Sequence, residues 1–168
     1  MADTRPRPGT PARGAVEAPP AGAVDGPPPG SIDARGPRVA AGITCVVLAV
    51  AVATGSAWVL AVQVLAFAIG SVFGVRRTPH AWVYQRFVRP HLGPPTAFED
   101  PAPPRFAQTV GLGFAVIGLV GLLAGATTLA YVAVGFALGA AFLNAAFDFC
   151  LGCEMYLLGK RLVARRTA

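Results

Sequence analysis

Two cysteines three residues apart, in the run Phe149-Cys150-Leu151-Gly152-Cys153-Glu154, are the residues whose type and spacing point most directly to chemistry. A Cys-x-x-Cys serves as a dithiol–disulfide pair or as half of a tetrahedral metal site. A reactive pair belongs at a helix N-terminus, where the dipole favours thiolate. The apolar run upstream instead predicts the C-terminal end of a helix here, or a helix continuing toward Leu162. On a continuous helix the two Cβ atoms stand about 5–6 Å apart, wider than the roughly 3.8 Å of a disulfide, unless Gly152 lets the helix break. A zinc site needs two more ligands, and the chain offers His80 and His91. Structural thiols, reversible thiol chemistry and a Cys150, Cys153, His80, His91 metal site all stay open, and the residues call for no cofactor.

Other polar residues lie near this motif or inside apolar runs. Asn144 and Asp148 are four apart, so they share one face of a helix, and an ionisable residue in an apolar span is a functional candidate. Asp148 has an alternative role, pairing with a basic residue such as Arg105 or Arg77. Gln63 and Gln108 suit interhelical hydrogen bonds. Cys45 reads as a buried small hydrophobe.

The elements that must position these residues are set by where charge is missing. The chain has 168 residues, 54% hydrophobic and 13% charged, with a mean hydropathy of +0.57. No Asp, Glu, Lys, Arg or His occurs from Val39 to Val75 or from Phe106 to Phe147. A membrane-crossing helix takes about 20 apolar residues, so each block holds two. This excludes a soluble enzyme, a nucleic-acid-binding domain and a disordered chain. It predicts an all-α membrane protein with four transmembrane helices as two hairpins, spanning about 38–56, 58–75, 106–124 and 128–150. Residues 1–37, rich in Pro and Gly, read as a disordered tail, residues 38–162 as the membrane domain, and 163–168 as a basic C-terminal tail.

The net charge of +6 comes from 14 Lys and Arg against 8 Asp and Glu. The basic residues fall before the first span (Arg5, Arg7, Arg13, Arg35, Arg38), between the second and third (Arg76, Arg77, Arg86, Arg89, Arg105) and after the fourth (Lys160, Arg161, Arg165, Arg166), never in the two turns. The positive-inside rule places both termini in the cytoplasm of a cell membrane. Within the central loop, Thr78-Pro79 reads as a helix start and Pro90 as a stop. Trp82, Tyr84 and Phe87 between them predict a short amphipathic helix on the inner membrane surface. Small residues recur at Gly70/Gly74, Gly121/Gly125 and Gly135/Gly139, spacing suited to helix packing within the chain or in a homo-oligomer.

The runs Asp33-Ala34-Arg35-Gly36-Pro37-Arg38, Ala102-Pro103-Pro104-Arg105-Phe106-Ala107-Gln108 and Asn144 through Tyr156 resemble the bacterial membrane family called domain of unknown function 4395 (DUF4395). The resemblance covers about residues 31–162. It implies four spans and an important Cys150/Cys153 pair, supplies no reaction, and leans toward thiol or sulfur-transfer settings. Two functions are therefore expected. One is a thiol-redox or sulfur-relay component at the cytoplasmic face, with a cytoplasmic thiol or sulfur-transfer protein as partner. The alternative is a non-enzymatic membrane scaffold docking a cytoplasmic partner. The lipid bilayer is the other partner, and nucleic acid is not expected. A permanent disulfide is disfavoured on the reducing side.

Overall fold

A computed structural model describes residues 28–166, and these are mostly helical. In chain order they form strand β1 (Ile32–Asp33), helices α1 (Arg35–Thr54), α2 (Ala57–Phe73) and α3 (Pro79–Val83), strand β2 (Phe98–Glu99), and helices α4 (Ala102–Leu123), α5 (Thr127–Phe147) and α6 (Leu151–Arg166). Three of these, α1, α4 and α5, are long and apolar enough to cross a membrane. Helix α2 is also apolar but has 17 residues, or about 26 Å at ~1.5 Å per residue.

Short turns join the long helices. Gly55, at φ 62°, ends α1 in the left-handed conformation that glycine adopts without strain. Ser56 then caps α2 by accepting the Val59 N–H at 3.4 Å. Helix α1 packs on α2 and α5, and α4 packs on α2, α5 and α6. The core is thin and built from small residues, with Leu48, Leu60, Phe67, Ala115, Val134 and Ala137 at its centre. Large apolar side chains point outward instead: Trp58 is 85% exposed, Phe136 64% and Leu123 72%. An outer surface this apolar is foreign to a soluble monomer and suits a lipid solvent. Inside it, Gln63 reaches across from α2 to the Thr44 hydroxyl of α1, Nε2 to Oγ1 3.5 Å.

Three features differ from the sequence expectation. Residues 1–27 of the expected disordered tail lie outside the described residues. Residues 28–37 are ordered, because Ile32 and Asp33 pair antiparallel with Glu99 and Phe98 and α1 starts at Arg35. The helical segment in the central loop is capped as expected, with the Thr78 hydroxyl accepting the Ala81 N–H at 3.0 Å. It widens into a π-helical turn at Tyr84–Val88 and runs through Pro90 as a 3₁₀ turn, Arg89–His91. The fourth apolar helix ends at Phe147 rather than reaching residue 150, and a separate helix, α6, includes 163–166 from the expected C-terminal tail.

The small-residue pattern divides in the same way. A Cβ on Gly118 would lie 2.5 Å from the Val134 Cγ2, and one on Gly111 2.9 Å from the Phe67 ring. Gly70 and Gly121 are similarly tight, while Gly135 and Gly139 meet nothing within 4 Å. Close approach therefore runs along one face of α4, and the Gly135/Gly139 pair takes no part in packing within the chain. Gly118→Val is expected to lower stability by about 1–3 kcal/mol through overpacking against a stiff β-branched neighbour. Gly135→Val should leave it nearly unchanged. Thermal unfolding of the two variants in one detergent checks the contrast.

Candidate functional site

The site forms at one end of the bundle, where the starts of α1 and α4 meet the ends of α2 and α5. Helix C-termini leave carbonyls without partners, and arginines on neighbouring helices supply them. Arg38 of α1 donates to the Ala145 and Ala146 carbonyls at the end of α5, at 3.1 and 3.4 Å. Arg105 of α4 donates to the Ser71 and Val72 carbonyls near the end of α2, at 2.7 and 2.8 Å. Arg105 is thus a helix cap and not the partner of Asp148.

Asp33 ties the central loop across this end. Its carboxylate accepts the Arg35 guanidinium at 3.1 and 3.0 Å, the Arg35 backbone N–H at 3.1 Å and the Tyr84 hydroxyl at 2.6 Å. Arg35 also reaches the Gly93 carbonyl at 3.1 Å, and Arg76 donates to the Ser31 carbonyl. Burial alone would raise the Asp33 carboxyl, but the hydrogen bonds from Arg35 and Tyr84 outweigh it and hold the group down at about 2. Glu99 on β2 has no such donors. Burial, with the neighbouring Asp148 and Asp33 charges, pushes it up to about 7, and its Oε1 is buried without a hydrogen-bond partner.

The cysteine pair sits at a helix break. Asp148 adopts φ 58°, a left-handed conformation uncommon outside glycine but tolerated by Asp. The Asp148 and Phe149 N–H groups fold back onto the Asn144 and Leu143 carbonyls at 3.1 and 3.3 Å. The chain then restarts as α6 with Cys150 just before its first turn. The Cys153 N–H points at the Cys150 Sγ, 3.3 Å away, in the manner of an N-cap. Cys150 and Cys153 are disulfide-bonded, with Cα atoms 5.2 Å apart. The expectation of a pair at a helix C-terminus or inside a continuous helix is corrected: the pair lies at a helix N-terminus, on the side where the dipole is positive. Gly152 allows this seat. A Cβ there would lie 2.6 Å from the Ala107 Cα of α4, so only glycine lets α6 start this close.

Beside the pair lies a cavity of about 620 Å³. Cys150 lines it together with Asn144 and Gln108, while Cys153 does not. The Gln108 Oε1 is buried without a partner. Asn144, Gln108 and Cys150 were candidates on sequence grounds, and the fold brings them together around one space. Asp148 shapes the break beside it. The two histidines stay apart from the pair. His80 is buried in α3, its Nδ1 is unpartnered and burial lowers its pKa. His91 is exposed, with Nδ1 2.8 Å from the Phe87 carbonyl. Among the described residues no three His, Cys, Asp or Glu side chains gather as metal ligands. Sequence reasoning missed Asp33 as a hub, Tyr84 as its partner and Glu99. The one signal for them was an acid two residues before an arginine at a helix start.

A family model described as domain of unknown function (DUF4395) matches residues 32–161. No curated protein and no solved structure matches the chain.

The two carboxylates predict opposite pH trends. The fold favours protonated Glu99, so its contribution is full below the ordinary 4.5 and is lost as pH rises through about 7. The fold favours ionised Asp33, so its contribution is present above the ordinary 3.8 and is lost as pH falls toward about 2. Glu99→Gln should therefore flatten the decline in unfolding temperature between pH 5 and 8, and Asp33→Asn should lower stability throughout that range. Unfolding scans across pH for both variants check the two signs.

Proposed function

The chain belongs to the family described as domain of unknown function (DUF4395), and on that premise we propose a four-span membrane protein that exchanges electrons between its Cys150–Cys153 pair and a cytoplasmic dithiol partner. The carrying observation is that Cys150 stands both before the first turn of α6 and in the wall of the cavity, bonded to Cys153. In this reading α1–α2 and α4–α5 are two hairpins, and α2, though short, crosses with its flanking residues. Arg35, Arg38, Arg76, Arg77 and Arg105 cluster at the end where the site lies, which supports a cytoplasmic placement of that end and of both termini. Helix α6 lies along the inner surface. Its Met155, Leu158 and Leu162 are exposed, and Arg165 and Arg166 end it, a pattern suited to the headgroup layer. The Trp82 and Phe87 side chains, also exposed, give the central loop the same seat.

The exchange follows from the two sulfurs facing different surroundings. A partner thiolate attacks the Cys153 Sγ, the Cys150–Cys153 bond breaks, and its electron pair leaves on Cys150. The helix N-terminus stabilises that leaving thiolate, and a stable leaving thiolate speeds exchange. The second partner thiolate then attacks the partner sulfur of the mixed disulfide and releases Cys153. The partner ends as a disulfide and the pair as a dithiol. Two electrons have moved, and a thiol–disulfide pair is conserved.

Maleimide trapping in intact cells checks this. Cys150 and Cys153 should shift from unlabelled to doubly labelled after reductant and back after oxidant. Met by the partner in its disulfide form, the Cys150→Ser variant should hold that partner on Cys153 through attack of the Cys153 thiolate, and Cys153→Ser should not. A pair whose labelling never changes ends the redox reading. A reporter fused after Ala168 should read as cytoplasmic, and a periplasmic signal overturns the orientation.

A further inference from the structure

We propose that the cavity beside Cys150 binds a lipid-soluble quinone that reoxidises the pair. This deepens the dithiol reading above and rests on it, since exchange with a partner leaves a reduced pair that needs an oxidant.

The cavity, about 620 Å³, falls within the roughly 300–1,000 Å³ usual for small-molecule sites. Its inner wall is apolar and aromatic, with Phe67 from α2 and Phe114 from α4. The space exists because α5 presents the small residues Ala137, Ala140 and Ala141 there, while its Phe136 turns largely outward. Flat rings fit between phenylalanines, and a charged metabolite would be costly against them. Two amides, Gln108 and Asn144, line the same space. An amide N–H donates to a quinone carbonyl, and the Gln108 Oε1, buried without a partner, accepts from the hydroxyl of the quinol product. The polar and ionic side chains Asp33, Arg76 and Arg89 belong to β1 and the central loop, so polarity gathers toward the end of the bundle and the rings lie deeper. A saturated acyl chain would fill the apolar wall but leave the Gln108 Oε1 without a donor.

The disposition of the sulfurs completes the case. Cys150 lines the cavity and Cys153 does not, so one sulfur meets a small molecule while the other meets a protein. The Cys150 thiolate adds to a ring carbon of the quinone, whose oxygens take one proton. The Cys153 thiolate, having given up its own proton, then attacks the Cys150 Sγ. The S–C bond breaks, its electron pair leaves with the ring, and the ring takes the second proton. Two thiols and one quinone become one disulfide and one quinol, with two electrons and two protons transferred.

The experiment uses the full chain in nanodiscs, reduced, freed of reductant and kept without oxygen. A short-tailed benzoquinone and a short-tailed naphthoquinone are the probes. Quinol is followed by absorbance and thiols by maleimide mass shift. The wild type is expected to form one quinol per disulfide, at a rate that saturates with quinone. Ala140→Phe, which fills the cavity, should slow quinone reduction at least tenfold while diamide still oxidises its pair at the wild-type rate. That second readout shows that the variant is folded and its thiols competent. Wild-type quinone reduction by Ala140→Phe would overturn the cavity as the site. A pair that cycles with diamide and dithiothreitol but reduces neither quinone would overturn the quinone and leave the dithiol reading standing. A pair that does not cycle with any reagent would overturn both.

Discussion

One carboxylate holds the site end of this molecule together. Asp33 accepts hydrogen bonds from Arg35 and Tyr84 and so joins β1, the start of α1 and a loop some fifty residues downstream. That loop runs from the end of α2 to the start of α4 and has little core of its own, with Trp82 and Phe87 turned outward. Closing so long a loop costs entropy before any contact offsets it. Charge-assisted hydrogen bonds are among the stronger local interactions available for that task. Burying the carboxylate opposes its ionisation, yet the donors around it prevail. The uncompensated cost appears at Glu99, one strand away, which shares the burial and has none of the donors.

The arginines at this end act on the packing of the bundle. A helix ending in a low-dielectric layer leaves carbonyls that water cannot reach. Arg38 and Arg105 each cross to a neighbouring helix and cap it. Positive charge there is thus built into the packing of the bundle end. Each guanidinium also complements the negative end of the helix it caps, so the interaction stabilises the folded end.

The helices were legible because a charge-free block of the right length can do little else in a membrane protein, and their ends fell within a few residues of the composition shifts. The pairing of β1 with β2 was not legible. Two residues in each strand carry no alternation to detect, and their partners are far apart in sequence. Glycine spacing was legible only in part. Periodicity shows which glycines share a face but not which face meets a neighbour, so Gly121 packs while Gly135 and Gly139, equally regular, do not. The candidate side chains Cys150, Asn144 and Gln108 were individually visible. Their shared cavity was not, because it depends on where α5 stops.

That stop is the decisive step from sequence to chemistry. Between Leu143 and Leu151 there is no glycine or proline, so the apolar pattern argues for a helix that runs to about residue 150 or on past Cys153. The break falls instead on Asp148, among the few non-glycine residues that accept a left-handed backbone. Had the helix continued, the cysteines would sit too far apart for a disulfide, and their thiols would face the negative end of a dipole or its middle. With the break, α6 restarts against Ala107 through Gly152, the pair falls within bonding distance, and Cys150 meets a helix N-terminus and the cavity at once. A single backbone conformation therefore reverses the electrostatics around the thiol, turning a placement that disfavours a thiolate into one that supports it.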